Sequence, residues 1–333
     1  FFGALAHLLK GSLGAGVLAM PMAFKNAGLI FGLAGTFVVG VICTHCVQIL
    51  VQSSHTLCRR EKIPSLGFAE TAEVAFRSGP PMFHKYSDFG RKFVNAALTL
   101  TYYFALCVYV VFIATTAQQS VNLLAEHYWN ADDVPNIRVI IAIVLVFLIP
   151  LGLVRNLKFL VPFSAMADVF IVISFIITLY YIFRDPLYTT GKEMVAEVTG
   201  MPIFFATCIF AMEGIGVVMP LENSMKKPQQ FLGCPGVLII AMTVVVSLYA
   251  AIGFFGYLKY GDDVEGSITL NLDIEEIPAQ IVKILYAISI LFSCGLQFYV
   301  PTEIVWSTLK DRFNKENQLK YEYVYRVFIC CVI

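Results

Sequence analysis

Charge is what this chain lacks most. Charged side chains make up 14% of its residues, against about 25% in an ordinary soluble domain. Lys plus Arg and Asp plus Glu stand at 23 each, so no basic surplus exists to neutralise a phosphate backbone, and there is no case for nucleic-acid binding. No Asn-x-Ser or Asn-x-Thr glycosylation acceptor occurs. The nine cysteines, Cys43, Cys46, Cys58, Cys107, Cys208, Cys234, Cys294, Cys330 and Cys331, all fall in apolar runs or on the side rich in Lys and Arg, and no disulfide is expected. The run Gly11-Ser12-Leu13-Gly14-Ala15-Gly16 follows no strand and has the spacing of neither the dinucleotide fingerprint nor the phosphate loop. No cofactor is implied, and nothing marks the chain as an enzyme.

What is present is apolar length. Apolar residues reach 58%, and a membrane-crossing helix needs roughly 20 of them in succession. Eight full spans are predicted, over about 2–24, 29–52, 93–124, 137–154, 159–183, 201–221, 236–258 and 278–309, with a ninth opening near Val324. The first residue is Phe and the last lies inside an apolar run, which suggests a fragment. The Lys- and Arg-bearing connections hold Arg59, Arg60, Lys62, Arg77, Lys85, Arg91, Lys92, Arg155, Lys158, Lys226, Lys227, Lys310, Arg312, Lys315 and Lys320. Such loops stay in the cytosol, which places the N-terminus there. A short interfacial helix is expected near 68–76, within the first of these loops.

Two interruptions break the apolar pattern in related ways. Gly14-Ala15-Gly16-Val17-Leu18-Ala19-Met20-Pro21 is nearly repeated as Gly214-Ile215-Gly216-Val217-Val218-Met219-Pro220. Five spans separate the copies, an odd number, so the copies must run in opposite directions through the bilayer. Paired Gly and Pro interruptions in two halves point to a substrate site built from broken helices. The fold class expected is therefore an all-α polytopic membrane protein with a LeuT-like inverted five-helix repeat whose spans 1 and 6 are broken. It forms a single transporter domain over 1–333, with repeats over about 1–183 and 201–333. The plainer reading of the glycines is close helix packing.

The segments HLLKGSLGAGVLAMPMAFKNAG, FAMEGIGVVMPLENSMKKP, GSITLNL and LQFYVPTEI resemble the proton-assisted amino acid transporters of the amino acid/auxin permease group, in the right order along nearly the whole chain. The resemblance implies eleven spans, of which about nine are present. It implies symport of small neutral amino acids such as glycine, alanine and proline with a proton, from an acidic exterior or compartment into the cytosol. It also assigns the proton to His45, in the stretch GVICTHCVQILV. An unperturbed imidazole changes charge near pH 6.5, within the range such a carrier works in. The other reading is a neutral histidine hydrogen-bonded to a neighbouring helix; a metal site of Cys43, His45 and Cys46 is the weakest, since adjacent helix positions diverge. Family members often carry Asn and Thr where this chain has Ser12 and Ala15, which leaves substrate preference open.

The residues themselves suggest how the site works. A helix N-terminus offers free amides and a positive dipole end to an anion, so Ser12, Gly14, Ala15 and Gly16 are expected at the substrate carboxylate. Carbonyls freed between Ala211 and Gly216, with Glu213 and Gly214 in the gap, would take the ammonium. Tyr109, with Tyr103 and Phe112, would limit side-chain size. Intramembrane ionisable groups are functional candidates: Glu213 for proton coupling or for capping amides, and Asp168 and Lys10 with roles open. Glu222 and Glu303 are expected to be solvated or to pair with Lys226 or Lys310. Two alternatives stay in view. One is a sodium-coupled carrier using backbone carbonyls and hydroxyls such as Ser293, and the other is an amino-acid sensor signalling to a cytosolic partner. Plasma membrane and lysosomal membrane are both open.

Overall fold

The computed structural model describes residues 4–5, 8–9, 12, 14, 16–128, 135–155, 157–189, 191–212, 215–225, 228–233, 236–273, 276–314 and 317–333, and among them every regular element is helical. The principal helices are α1 (Gly16–Ala27), α2 (Leu29–Glu61), α3 (Phe68–Arg77), α4 (Ser87–Tyr128), α5 (Ile137–Gly152) and α6 (Leu157–Arg184). They continue with α7 (Met201–Ala211), α8 (Ile215–Ser224), α9 (Val237–Tyr260), α10 (Ile277–Leu309) and α11 (Gln318–Val332). Leu29–Glu61, Pro81–Asn122, Pro162–Arg184, Val237–Asp263 and Ile277–Leu309 are each long and apolar enough to cross a membrane. This is the architecture of a polytopic membrane protein. The short helix expected in the basic loop is α3, and Glu70 secures its start by accepting the Gly67 amide at 2.9 Å.

The chain divides into two compact units, Phe1–Val94 with Tyr180–Asn271, and Asn95–Leu179 with Leu272–Ile333. Each draws on both halves of the sequence. In the first, α1 lies at the centre with Met20, Ala23, Phe24 and Ala27 fully buried, packed against α7 and α9. Phe24 fits there because its neighbours carry no side chain. A Cβ on Gly32 would meet the Phe24 ring at 2.8 Å, and one on Gly253 would overlap the other side of the same ring. Beyond the α1–α2 turn, the 193–196 strip closes main-chain bonds from Leu29 N to Glu193 O (3.0 Å), Ile30 N to Met194 O (2.9 Å) and Ala196 N to Ala27 O (3.0 Å). Gly28 makes that turn at φ 84°, and a side chain there would strike the Met194 carbonyl at 2.7 Å.

The second unit packs α10 and α11 on α5 around a buried charge. Arg326 is 1% exposed. Its Nη1 donates to the Gly152 carbonyl at 3.1 Å and its Nε to Glu322 at 3.0 Å, while Arg155 holds the other oxygen of Glu322 at 2.8 Å. The carbonyls ending α5 have no partner within their own helix, and the guanidinium supplies one together with favourable charge at the negative end. Hydrogen bonding to Glu322 raises the Arg155 pKa above its ordinary value.

Candidate functional site

The site builds from the interruptions in the first and sixth spans. Ser12 is helical, Gly14 is a bend, and continuous helix resumes at Gly16. In the sixth span α7 ends at Ala211 and α8 begins at Ile215. The correspondence extends past the glycines, for Pro21 is the sixth residue of α1 and Pro220 the sixth of α8. Gly16 lies hard against the end of α7, where a Cβ would sit 2.7 Å from Ala211 Cβ and overlap the Ala211 backbone. A Cβ on Gly14 meets no described atom within 4 Å. Ala15, Glu213 and Gly214 lie outside the described residues, as does Lys10.

One side chain joins the two interruptions. Tyr249 of α9 is 0% exposed, and its hydroxyl contacts the Ala211 carbonyl at 2.9 Å and, more closely, the Ser12 carbonyl. Each carbonyl lies four residues ahead of the helix that follows. A phenol has one proton to donate, so the two carbonyls share it. Each carbonyl oxygen also has two lone pairs, and one hydroxyl does not saturate the pair. Tyr249 was invisible to pattern reading because its partners are backbone atoms, although a buried tyrosine hydroxyl within VVVSLYAAIGFF needs a partner and is a signal worth following. The Ser12 side chain is buried and lines an apolar cavity of about 410 Å³ with Met212, Val218, Leu238 and Met242.

The other predicted residues are placed as follows. Tyr109 is half-buried on α4 in the second unit, where Tyr103 pairs with the Tyr325 hydroxyl at 2.9 Å and Phe112 meets Tyr286 edge-on at 5.2 Å. His45 is exposed on α2 beside Thr44, Gln48 and Thr243, with no hydrogen-bond partner among the described residues. Asp168 is half-buried on α6. Glu303 is exposed and lies 4.0 Å from Arg326 rather than against Lys310. Glu222 departs furthest from expectation: it is 2% exposed, and its carboxylate meets His55 Nε2 at 2.6 Å. The apolar run stops at Gln52, so the sequence pattern does not point to His55, whereas α2 continues to Glu61 and carries it.

All of residues 1–333 match the family described as transmembrane amino acid transporter protein. The chain belongs to this family. Among curated proteins, this transporter is similar to the proton-coupled amino acid transporter-like protein pathetic of Drosophila melanogaster, at 43% identity over 98% of the chain and 67% of that protein. It is also similar to vacuolar amino acid transporter 3 of Schizosaccharomyces pombe, at 30% identity over 95% of the chain and 44% of that protein. The chain thus spans about two thirds of the first relative's length and under half of the second's. The family is one of transporters and not of enzymes.

Proposed function

We propose that this transporter carries small neutral amino acids together with a proton into the cytosol by alternating access on a LeuT-like inverted repeat. The observation that carries the reading is the convergence of Ser12 and Ala211 on the Tyr249 hydroxyl. It ties together the interruptions of spans 1 and 6, which a substrate site of broken helices requires. In this reading the amides near Gly14, Ala15 and Gly16 hold the carboxylate, and the remaining lone pairs of the Ala211 carbonyl, with Glu213 and Gly214 beside it, receive the ammonium. No charged side chain is needed at either end. The repeat is supported by the matching positions of Pro21 and Pro220, and by the way each half sends its first two spans to one unit and later ones to the other.

Proton coupling draws support from the name of the Drosophila relative. One proton moving down one pH unit supplies about 1.4 kcal/mol, and a potential of about 100 mV adds about 2.3 kcal/mol. Together these sustain a gradient on the order of 500-fold for a neutral amino acid. His45 and Glu213 are the proton groups this reading starts from. Membrane and topology follow the same logic, with the N-terminus cytosolic and the acidic side either outside the cell or, as the name of the fission-yeast relative favours, in an intracellular compartment. The test is uptake of labelled glycine, alanine and proline by the full-length protein at outside pH 5.5 and 7.5, with Na⁺ or choline. Uptake stimulated by acid and indifferent to Na⁺ supports the reading. Dependence on Na⁺ favours the sodium carrier, and saturable binding without flux favours the sensor.

A further inference from the structure

We propose that His55 and Glu222 form a proton-binding latch that joins α2 to the end of α8 and makes release of substrate depend on pH. This rests on the proton-coupled reading above and names where on the first unit a transported proton is held. Glu222 is buried, its carboxylate has His55 as its hydrogen-bond partner among the described residues, and the His55 side chain keeps 30% of its surface exposed. A buried carboxylate facing a neutral imidazole keeps an uncompensated charge, which is costly away from water. One proton added to the imidazole forms an N–H bond, breaks none within the protein, and converts the pair to an imidazolium and a carboxylate with no net charge. The exposed part of the ring gives that proton its route in and out.

The position of the pair gives the proton leverage. Glu222 lies near the end of α8, a ten-residue helix about 15 Å long, whose other end adjoins the interruption beside Ala211. The next residue, Asn223, donates to the Leu66 carbonyl at 3.0 Å, so the same end of α8 is also tied to the segment leading into α3. With the pair protonated, α8 is held to α2. Loss of the proton leaves the Glu222 charge facing a neutral ring that can still donate one hydrogen bond but no longer balances the charge, and favours an arrangement in which water reaches it and α8 shifts at the substrate end.

Three neighbouring carboxylates are otherwise engaged. Glu61 is bound by Arg77 and Ser78, Glu73 by Arg91, and Glu70 by the Gly67 amide. Arg59 and Arg60 are exposed one turn beyond His55, and Cys58 is half-buried. The half of α9 from 237 to 248 carries no ionisable residue. His7, Lys10, Lys226 and Lys227 lie outside the described residues.

The test uses the full-length protein with Glu222→Gln and His55→Lys, each at matched surface level. Gln keeps a hydrogen-bonding partner for His55 without the charge, and Lys keeps a cation opposite Glu222 without the imidazole. The expected result is that the ratio of net glycine uptake at pH 5.5 to that at 7.5 falls to about one in both variants, while glycine-for-glycine exchange persists. If both variants keep the wild-type ratio and the wild-type inward current, the latch is overturned and the pair is structural. If both lose exchange along with uptake, the proposal is also overturned, since the pair then holds the fold. Acid-indifferent uptake by the unmodified protein would instead overturn proton coupling itself, and this proposal with it.

Discussion

Removing one oxygen atom, in Tyr249→Phe, probes the convergence of the two interruptions directly. The ring stays in its buried place and the donor to Ser12 and Ala211 is lost. An ordinary hydrogen bond contributes about 0.5–1.5 kcal/mol net, but a buried acceptor left without a donor costs about 1–3 kcal/mol. With Tyr249 at 0% exposure, the larger range applies, and local opening at the interruptions should become roughly 5- to 150-fold more frequent. The assay is thermal unfolding of the purified full-length protein in detergent, with and without saturating glycine. Without glycine the variant should melt below the wild type. Glycine should then stabilise the variant more than the wild type, because the ammonium offers the orphaned Ala211 carbonyl a new donor. Equal melting of the two proteins, together with equal stabilisation by glycine, would refute the reasoning, since the carbonyls would then depend neither on the hydroxyl nor on the ligand.

The glycines should separate packing from binding: Gly16→Val should abolish uptake and lower stability by about 1–3 kcal/mol through its collision with Ala211, read by uptake and by melting of surface-expressed protein. A Cβ on Gly14 meets no described atom within 4 Å, so Gly14→Ala should leave melting unchanged while raising the KM for glycine. In the second unit, Arg326→Met leaves the Gly152 and Val154 carbonyls without their donor and should cost about 3–5 kcal/mol, seen as loss of folded protein in size-exclusion profiles. At the α6 terminus, the Lys259 hydrogen bond and charge hold the Asp185 pKa below its ordinary 3.8. A depressed carboxylate contributes its stability above the unfolded value and loses it only as pH falls through the lower folded one, so between pH 5.5 and 7.5 this pair stays constant. Asp185→Asn should leave the acid stimulation of uptake unchanged.

The helix inventory was legible because lipid exposure and burial both demand apolar residues over a known length. Its errors occurred where polar residues continue a helix. Ser53 to Arg60 read as a loop, yet α2 carries on and buries Ser54 and Leu57. The exposure of His45 was also within reach of the sequence. The buried positions of α2, among them Gly32, Gly35, Thr36, Val39, Gly40, Val47, Val51, Ser54 and Leu57, step mostly by three or four, and residue 45 falls two away from Val47, on a different face. The Tyr249 contacts were not legible in this way, because backbone carbonyls leave no trace in residue identity. The same holds for the pairing of His55 with Glu222, which lie 167 positions apart and meet only through packing of α2 against α8.

The most direct measurement of the central claim is proton flux counted against glycine flux in proteoliposomes holding the full-length protein and a trapped pH indicator, in sodium-free buffer. Glycine added to the acidic side should enter and acidify the lumen, with about one proton per glycine and an inward current of matching size. Glycine entry without acidification, or entry only once sodium is supplied, would contradict the account.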